Sequence, residues 1–487
     1  MTVCTRRSRQ PGPIFAPRCT RLAALAWLLA LPACVAGPDY HPPAAVDLGV
    51  PAGFSVLSDP SAQSTNARWW DAFGDAELSR LEAEGVKANL DMAMALSRLR
   101  QSREALVQAR SFNVPTVSAT AAYTRTQAIA GPAGATLSGD SLSLAADASY
   151  QIDLFGGRKR SIEAARADAE ASRFDHGAVT LTVQSDIATA YLSVRLQQAN
   201  LANAFLAQTN QSDNLQVALW RRQAGLIGSL DVEQARTLLA QSAATIPQVE
   251  SSLNQSLGRL GVLLGREPGA LKAQLAAPMP IPVGPASLAV GLPANLLRQR
   301  PDVRSAERSL AAATARIGVA AAQLYPSLSL GGNIGLGAGS LRALFDAISG
   351  QAFANVAQTI LDGGRLRSVV RAQRAASDGA FASYRQIVLR ALEDTENAIA
   401  ALAAANQRQV HYAAAFDAAT QSAIIARQQY RSGLIDYIVL LTTENLLISA
   451  RDGLTQARYD QAAALVQLYT ALGGGWDTQP IVAKQDK

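Results

Sequence analysis

Histidine and cysteine are almost missing, and that scarcity removes most catalytic and metal chemistry at the outset. The 487 residues contain 3 His and 3 Cys. His41, His176 and His411 are far apart, and Cys34 has no partner left once Cys4 and Cys19 are removed with the amino terminus. Neither a thiolate–imidazole metal site nor a disulfide framework can be built from these. Aromatics are sparse at 6%, so alanine and leucine dominate a hydrophobic share of 49%. That composition suits close helix–helix packing better than a thick aromatic core. Proline is absent from 133–246 and from 327–479. Long helices need that absence, because an interior proline costs about 3 kcal/mol. A real excess of positive charge is lacking as well. The formal charge is +6, but Arg6, Arg7, Arg9, Arg18 and Arg21 lie within the first 33 residues, which hold no acid, leaving 6 − 5 = +1 for the remainder. Nucleic acid is therefore not an expected partner. Gly331, Gly332, Gly335, Gly337 and Gly339 follow no phosphate-binding spacing, and Glu393 and Glu396 fit a solvated helix face better than a catalytic pair. An enzyme is not expected and no cofactor is implied.

The first 33 residues have the form of a secretory signal: five arginines, an apolar run from Leu22 to Ala33, and a small residue before the cut. Cys34 directly afterwards resembles the lipobox of bacterial lipoproteins, whose thiol takes a diacylglycerol. Pro32 departs from the small residues usual there, so an ordinary signal cut with a free Cys34 thiol stays open. One acyl group set anchors only reversibly, and something else should hold the protein in a membrane.

What the chain does contain, it contains twice. Pro115 returns as Pro326 (326 − 115 = 211), Gly157-Arg158 as Gly364-Arg365 (364 − 157 = 207), and Gly225-Leu226-Ile227 as Gly433-Leu434-Ile435 (433 − 225 = 208). Leu264-Gly265 returns as Leu472-Gly473 (473 − 265 = 208). A unit of that size is two copies of one subdomain rather than a solenoid repeat. In each copy the pattern predicts a helix of about 100 Å, over Arg158–Ala224 and Arg365–Ser432. A glycine turn and a partner helix ending near Leu264 or Leu472 follow each. Ile187, Tyr191, Val194, Gln198, Leu201 and Phe205 alternate spacings of four and three, as do Phe381, Tyr384, Val388, Ala391, Thr395, Ala398 and Leu402. That is the seam of coiled-coil packing.

Two strand-like stretches precede each long helix. Leu142, Leu144, Ala146, Ala148, Tyr150, Ile152 and Leu154 mark one apolar face, as do Val117, Ala119, Ala121 and Tyr123, and Leu328, Leu330, Ile334 and Leu336. Phe353–Asp362 is the weaker fourth stretch. Apolar-out alternation of this length fits membrane strands, although a half-buried soluble sheet has the same period. Four strands cannot close a barrel, and an open edge is not tolerated in lipid. Several copies must therefore share one barrel: eight strands from a dimer would be filled by side chains, whereas twelve from a trimer leave a pore.

Six ordered motifs carry a family resemblance. CVAGPDYHPP (34–43), WWDAFGDAEL (69–78), SYQIDLFGG (149–157), LLRQRPDV (296–303), QLYPS (323–327) and YTALGGGW (469–476) resemble the TolC-like outer-membrane efflux factors in their NodT-type lipoprotein branch. The resemblance implies an α+β homotrimer: a twelve-stranded outer-membrane β-barrel, four strands per chain, continued by a long α-helical barrel with a mixed equatorial domain. The domain map is a signal peptide 1–33, a lipid-anchored extended segment 34–74 and repeat 1 over 75–264, with its β-hairpin at 113–155 and helical hairpin at 158–264. An equatorial linker 265–300, repeat 2 over 301–472 (hairpins at 326–362 and 365–472) and a tail 473–487 complete it. Partners would be a periplasmic adaptor, an inner-membrane RND-type transporter and outer-membrane lipid, with no nucleic acid. The function implied is that of a passive exit duct for small toxic compounds, opened at its periplasmic tips. Gly225, Leu226, Gly433 and Leu434 correspond to adaptor-contacting tips, and Ile438, Val439, Thr442, Tyr430 and Arg431 to the aperture. Thr442 stands where many relatives have aspartate, which favours an apolar and hydroxyl-lined constriction. Rival readings are the outer channel of a type I protein secretion system, or a periplasmic adaptor or structural coiled-coil lipoprotein. The lipobox and the ending Gly473-Gly474-Gly475-Trp476 favour efflux over secretion. Two hairpins that each follow a strand pair argue against an adaptor.

Overall fold

The two copies match element for element. In the computed structural model, which describes residues 35–55, 68–127, 138–286, 293 and 299–476, copy one comprises α2 (Leu90–Ser111), β1 (Thr116–Gln127), β2 (Ser138–Ile152), α3 (Gly157–Gln223) and α4 (Ser229–Leu263). Copy two comprises α5 (Pro301–Ala322), β3 (Ser327–Ala338), β4 (Ile348–Ala357), α6 (Arg365–Arg431) and α7 (Tyr437–Ala471). A short helix α1 (Ala76–Ala88) and a 3-10 turn at Trp69–Phe73 precede them. α2 and α5 each have 22 residues, α3 and α6 67, and α4 and α7 35. The displacement is 211 through α2/α5 and β1/β3, then 208 through the helical hairpins. Gly156 and Gly364, each directly before its long helix, are both in the left-handed conformation, and Gly363 is as well. The structural displacement there is thus 208, not the 207 read from the Gly-Arg dipeptides. The signal peptide, Cys34 and the tail beyond Trp476 lie outside the described residues.

The chain divides into two compact units. The first holds the strands. They form one antiparallel sheet in the order β1-β2-β3-β4. Its register brings Ala121 opposite Leu144, Leu144 opposite Leu336, and Leu336 opposite Ile348. The apolar faces of all four strands therefore coincide, and Val117, Ile334 and Val356 on that face stand exposed. The opposite face carries the row Ser118, Asp147, Asn333 and Gln351. Phe353 interrupts it, its ring occupying the space where a Cβ on Gly331 would stand.

The fourth strand corrects the sequence reading. It covers Ile348–Ala357, not Phe353–Asp362, because pairing with β3 runs from Ser327↔Ala357 to Leu336↔Ile348. Asp362 serves α6 instead, accepting from the backbone N–H groups of Gly364 at 2.9 Å and Leu366 at 2.8 Å. Also in this unit, the buried Arg160 donates to the Ala36 carbonyl at 3.2 Å and to Asp39 and Glu163, holding the segment that follows Cys34.

The second unit holds most of the helical residues. Ile187, Tyr191 and Val194 of α3 and Tyr384, Val388, Thr395 and Ala398 of α6 are buried in its main core, as the seam predicts. Phe205 is not; it is exposed, and the buried row has shifted to Ala204, Ala207, Gln211, Asn214 and Ala218. Alanine and amide side chains pack that stretch, so apolar spacing did not mark it. α4 also runs unbroken through Pro247, which lacks the N–H that a helix interior uses. A buried polar chain fixes the middle of the unit. The Tyr191 hydroxyl donates to Asp75 at 2.6 Å, Arg195 donates to the Tyr191 oxygen, to Gln198 at 2.7 Å and to the Ala277 carbonyl, and Gln198 donates to the Leu275 carbonyl at 2.6 Å. Asp75 also caps α1 by accepting from Glu77 and Leu78.

One buried acid stands apart. Glu82 of α1 is fully buried, neither carboxylate oxygen has a hydrogen-bond partner, and burial pushes its pKa well above the usual carboxylate value of 4.5. The folded protein therefore holds a proton there that the unfolded chain releases, and stability should fall as pH rises above that value. Thermal melting of the detergent-solubilised protein should shift downward between about pH 5 and 8. Glu82→Gln should flatten that dependence and melt higher at neutral pH; an unchanged profile would contradict it.

Candidate functional site

The sharpest turns of the helical unit lie where α3 meets α4 and where α6 meets α7. At the first, Gly225 N–H bonds to Arg222 O and Leu226 N–H to Arg221 O, both at 2.9 Å; at the second, Gly433 bonds to Tyr430 O and Leu434 to Gln429 O. This is the Schellman closure of a helix end, which needs a residue at positive φ. Gly225 has φ 74° and Gly433 φ 77°. The closure pushes the following leucine outward: Leu226 is 66% and Leu434 74% exposed. Ile227 and Ile435, one residue on, pack inward against the tip cluster instead.

That cluster joins both hairpins. Ala218, Val232 and Ala235 of the first pack with Ala426, Tyr430, Tyr437 and Leu440 of the second. The rings of Tyr430 and Tyr437 are 5.7 Å apart and tilted; burial pushes the Tyr437 hydroxyl up to about 12. Arg221 crosses from one hairpin to the other. It donates to the Tyr430 carbonyl at 2.6 Å and places its guanidinium 4.4 Å over the Tyr430 ring. Tyr430 thus joins the two hairpins through its carbonyl and its ring face. Arg431 points away, exposed, and lines a cavity of about 90 Å³ with Asp213 and Asn214.

Beyond the second tip, α7 splits its faces sharply. Tyr437, Leu440, Glu444 and Leu447 are buried, whereas Ile438, Val439, Thr442 and Leu446 are exposed. The Thr442 hydroxyl donates to the Ile438 carbonyl at 2.8 Å, a bond within the helix. Sequence reasoning missed the strongest polar interaction here. Glu444, 1% exposed, accepts a two-pronged bond from Arg427, Nε at 2.5 Å and Nη2 at 2.8 Å. The carboxylate raises the Arg427 pKa further. The pair is 17 residues apart across the hairpin, so only a register derived from the turn at Gly433 would have found it. The first hairpin has Leu219 and Arg236 at the equivalent positions and no such pair.

Among the described residues no helix is long and apolar enough to cross a membrane, and no cluster of His, Cys, Asp and Glu could hold a metal ion. Residues 86–266 and 292–474 match the family described as outer membrane efflux protein. The chain belongs to that family. It is 30% identical to the pyoverdine export outer membrane protein OpmQ of Pseudomonas aeruginosa, over 90% of this chain and 94% of that one. Nodulation protein T of Rhizobium leguminosarum bv. trifolii is 28% identical, covering 94% and 98%. Among solved structures, the outer-membrane channel OprN superposes with a TM-score of 0.83 at 32% identity, covering 91% of this chain and all of the other. The protein is accordingly an outer-membrane efflux channel with a periplasmic helical tunnel. It is built from three copies and works with an adaptor and an inner-membrane transporter. Its family is one of channels rather than enzymes.

Breaking a buried ion pair strands a charge and costs about 3 kcal/mol or more. Glu444→Ala should therefore loosen the second tip, raising hydrogen exchange across 423–444 and single-channel conductance in planar bilayers. The double change Arg427→Leu with Glu444→Leu should recover most of the exchange protection.

Proposed function

We propose that the two helical tips are both the docking point and the gate of this efflux duct. Leu226 and Leu434, held out by Gly225 and Gly433, offer apolar knobs to a partner hairpin. Ile438, Val439 and Thr442 line the narrowing beyond the second tip, with Tyr430 and Arg221 holding the hairpins together and Arg431 at the rim. The observation that carries this reading is the split face of α7, which leaves an apolar stripe bare directly beyond a rigidly closed turn. Thr442 bonds its hydroxyl back to its own helix. It therefore presents chiefly its methyl group, and the constriction closes by packing and dewetting instead of a ring of charge. Opening is then a shift between two hairpin packings, biased by whichever partner binds the open one better.

Cargo passes without being selected here. Relatives are described as exporting pyoverdine, toluene and cations, and no polar pocket common to such compounds is apparent in the tip residues. The transporter chooses, and small toxic compounds are the class proposed for this chain. Cys34 carries the lipid anchor, next to the segment that Arg160 fixes.

Gly433→Val places a β-branched residue at φ 77°, a conformation that costs an L-residue about 1–2 kcal/mol. Efflux in a strain lacking its own outer channel should be abolished, while unheated electrophoresis still shows trimers in the outer membrane. Loss of the trimers together with efflux would make the glycine structural and refute the docking role.

A further inference from the structure

The chain after residue 33 is nearly neutral, but its charge is not evenly spread. In the first unit, the residues that link strands to helices (35–39, 109–115, 153–163, 314–326 and 358–374) hold 9 basic and 4 acidic side chains, 9 − 4 = +5. Three of the nine share one face of α6. Arg367, Arg371 and Arg374 are spaced four and three, and all are exposed. Among the described residues none of the three has an ion pair or a hydrogen bond. Displaced by 208, the equivalent positions on α3 are Lys159, Glu163 and Arg166, where the signs alternate and Glu163 pairs with Arg160. α6 itself gains nothing from the cations, because the first turn of a helix carries partial positive charge. Asp362 caps that turn, but no acid follows on α6 until Asp378. The same row continues along α6 at Arg385, Leu389 and Glu396, where the segment that follows Cys34 covers it. A Cβ on Gly49 would stand 3.8 Å from Leu389 and 3.9 Å from Arg385, and the Ser55 N–H donates to Glu396 at 2.9 Å. A segment tethered to the bilayer at Cys34 runs outside the tunnel, so this row of α6 faces outward.

We propose that Arg367, Arg371 and Arg374 bind the phosphate headgroups of anionic phospholipids in the periplasmic leaflet of the outer membrane. The tunnel is periplasmic, so the strand ends next to the helices mark that leaflet. α6 begins at Arg365, shortly after β4 ends at Ala357. Tyr150, on the lipid-facing side of β2 near its end, lies under the Arg158 guanidinium at 5.1 Å, an aromatic ring at the level where membrane proteins carry their interfacial belts. Arg371 and Arg374 stand about 6 and 10 Å further along the helix axis than Arg367. Headgroups add about 5–7 Å beyond the hydrocarbon on each side, and arginine stems reach back toward them. Arg367 and Arg371 therefore meet phosphates directly, and their planar guanidinium groups suit two-pronged bonds to them. Arg374 adds its charge from within a Debye length, about 8–10 Å. The inference takes the outward direction of the face from the lipid-anchor reading of Cys34 and goes beyond it. Barrel and acyl chains hold the protein in the membrane, whereas the arginines select which lipids gather around it.

Native mass spectrometry of the detergent-solubilised trimer tests this, with dioleoyl phosphatidylglycerol and dioleoyl phosphatidylcholine offered in equal amounts. A basic residue at an anionic bilayer surface is worth about fivefold in affinity, so the wild-type protein should retain several-fold more of the anionic lipid. Replacing all three (Arg367→Gln, Arg371→Gln, Arg374→Gln) should bring the two lipids to parity, and the corresponding triple change to lysine should keep most of the preference. Lys159→Gln with Arg166→Gln, at the equivalent positions of the first copy, should leave it intact. Exchanging chloride for inorganic phosphate at constant ionic strength should also leave it intact; loss of the preference there would make the site one for free phosphate and overturn the proposal. Equal retention of both lipids by the wild-type protein, or an unchanged preference in the glutamine triple, would overturn it too. If the glutamine triple no longer runs as a trimer in unheated electrophoresis, the arginines serve a subunit contact and the lipid assignment is wrong. The mass of the mature amino terminus checks the anchor separately: a preference that persists on a chain without acyl groups would retire the anchor reading and keep the lipid site.

Discussion

An unfinished sheet governs this molecule. Four antiparallel strands present one apolar face and one polar face, and among the described residues the outer edges of β1 and β4 have no partner strand. In hydrocarbon every unpaired backbone group costs several kcal/mol, so such a sheet is stable only when other copies complete it. A hollow follows from the number of strands that three copies bring, and the polar face becomes its wall. The helices inherit the same incompleteness: α6 carries a bare face of small residues where α3 carries a covered one. Assembly, pore and tunnel thus stem from a single shortage of partners within one polypeptide.

Much of this was legible because proline and glycine punctuate the chain so cleanly. Both long helices begin and end within one residue of where the proline-free windows and the tip glycines placed them. Three of the four strands declared themselves by strict alternation. The fourth did not, because Gly350, Ala352 and Ala354 give it a faint apolar face while Phe353 sits on the polar side. Pairing with β3, a long-range constraint, decided its bounds. Asp362 was misread as strand for a related reason: its side chain bonds the first turn of a helix, and a single residue does not announce that.

The tip shows where pattern reading stops. Its glycines and leucines follow from a motif, and Tyr430 lies three residues before the second of those glycines. Arg221 and the Arg427–Glu444 pair depend on two helices meeting at a given register, which no local window contains. The seam failed below Leu201 for a similar reason. There the contact surface is alanine, glutamine and asparagine, residues that pack closely without being hydrophobic enough to mark a stripe. Polar residues in that stretch also explain how two hairpins can be joined firmly at their ends yet less greasily along their flanks.

The unequal helix lengths have a mechanical corollary. A 67-residue α3 spans about 100 Å, whereas its 35-residue return strand of helix spans only about 52 Å. The half of α3 next to the turn is braced by α4, and its residues 157–177 by α5, an element from the other repeat. One continuous rod thus has two separate splints. The splint beside the turn and the one at the opposite end are fastened by separate clusters, drawn from different repeats.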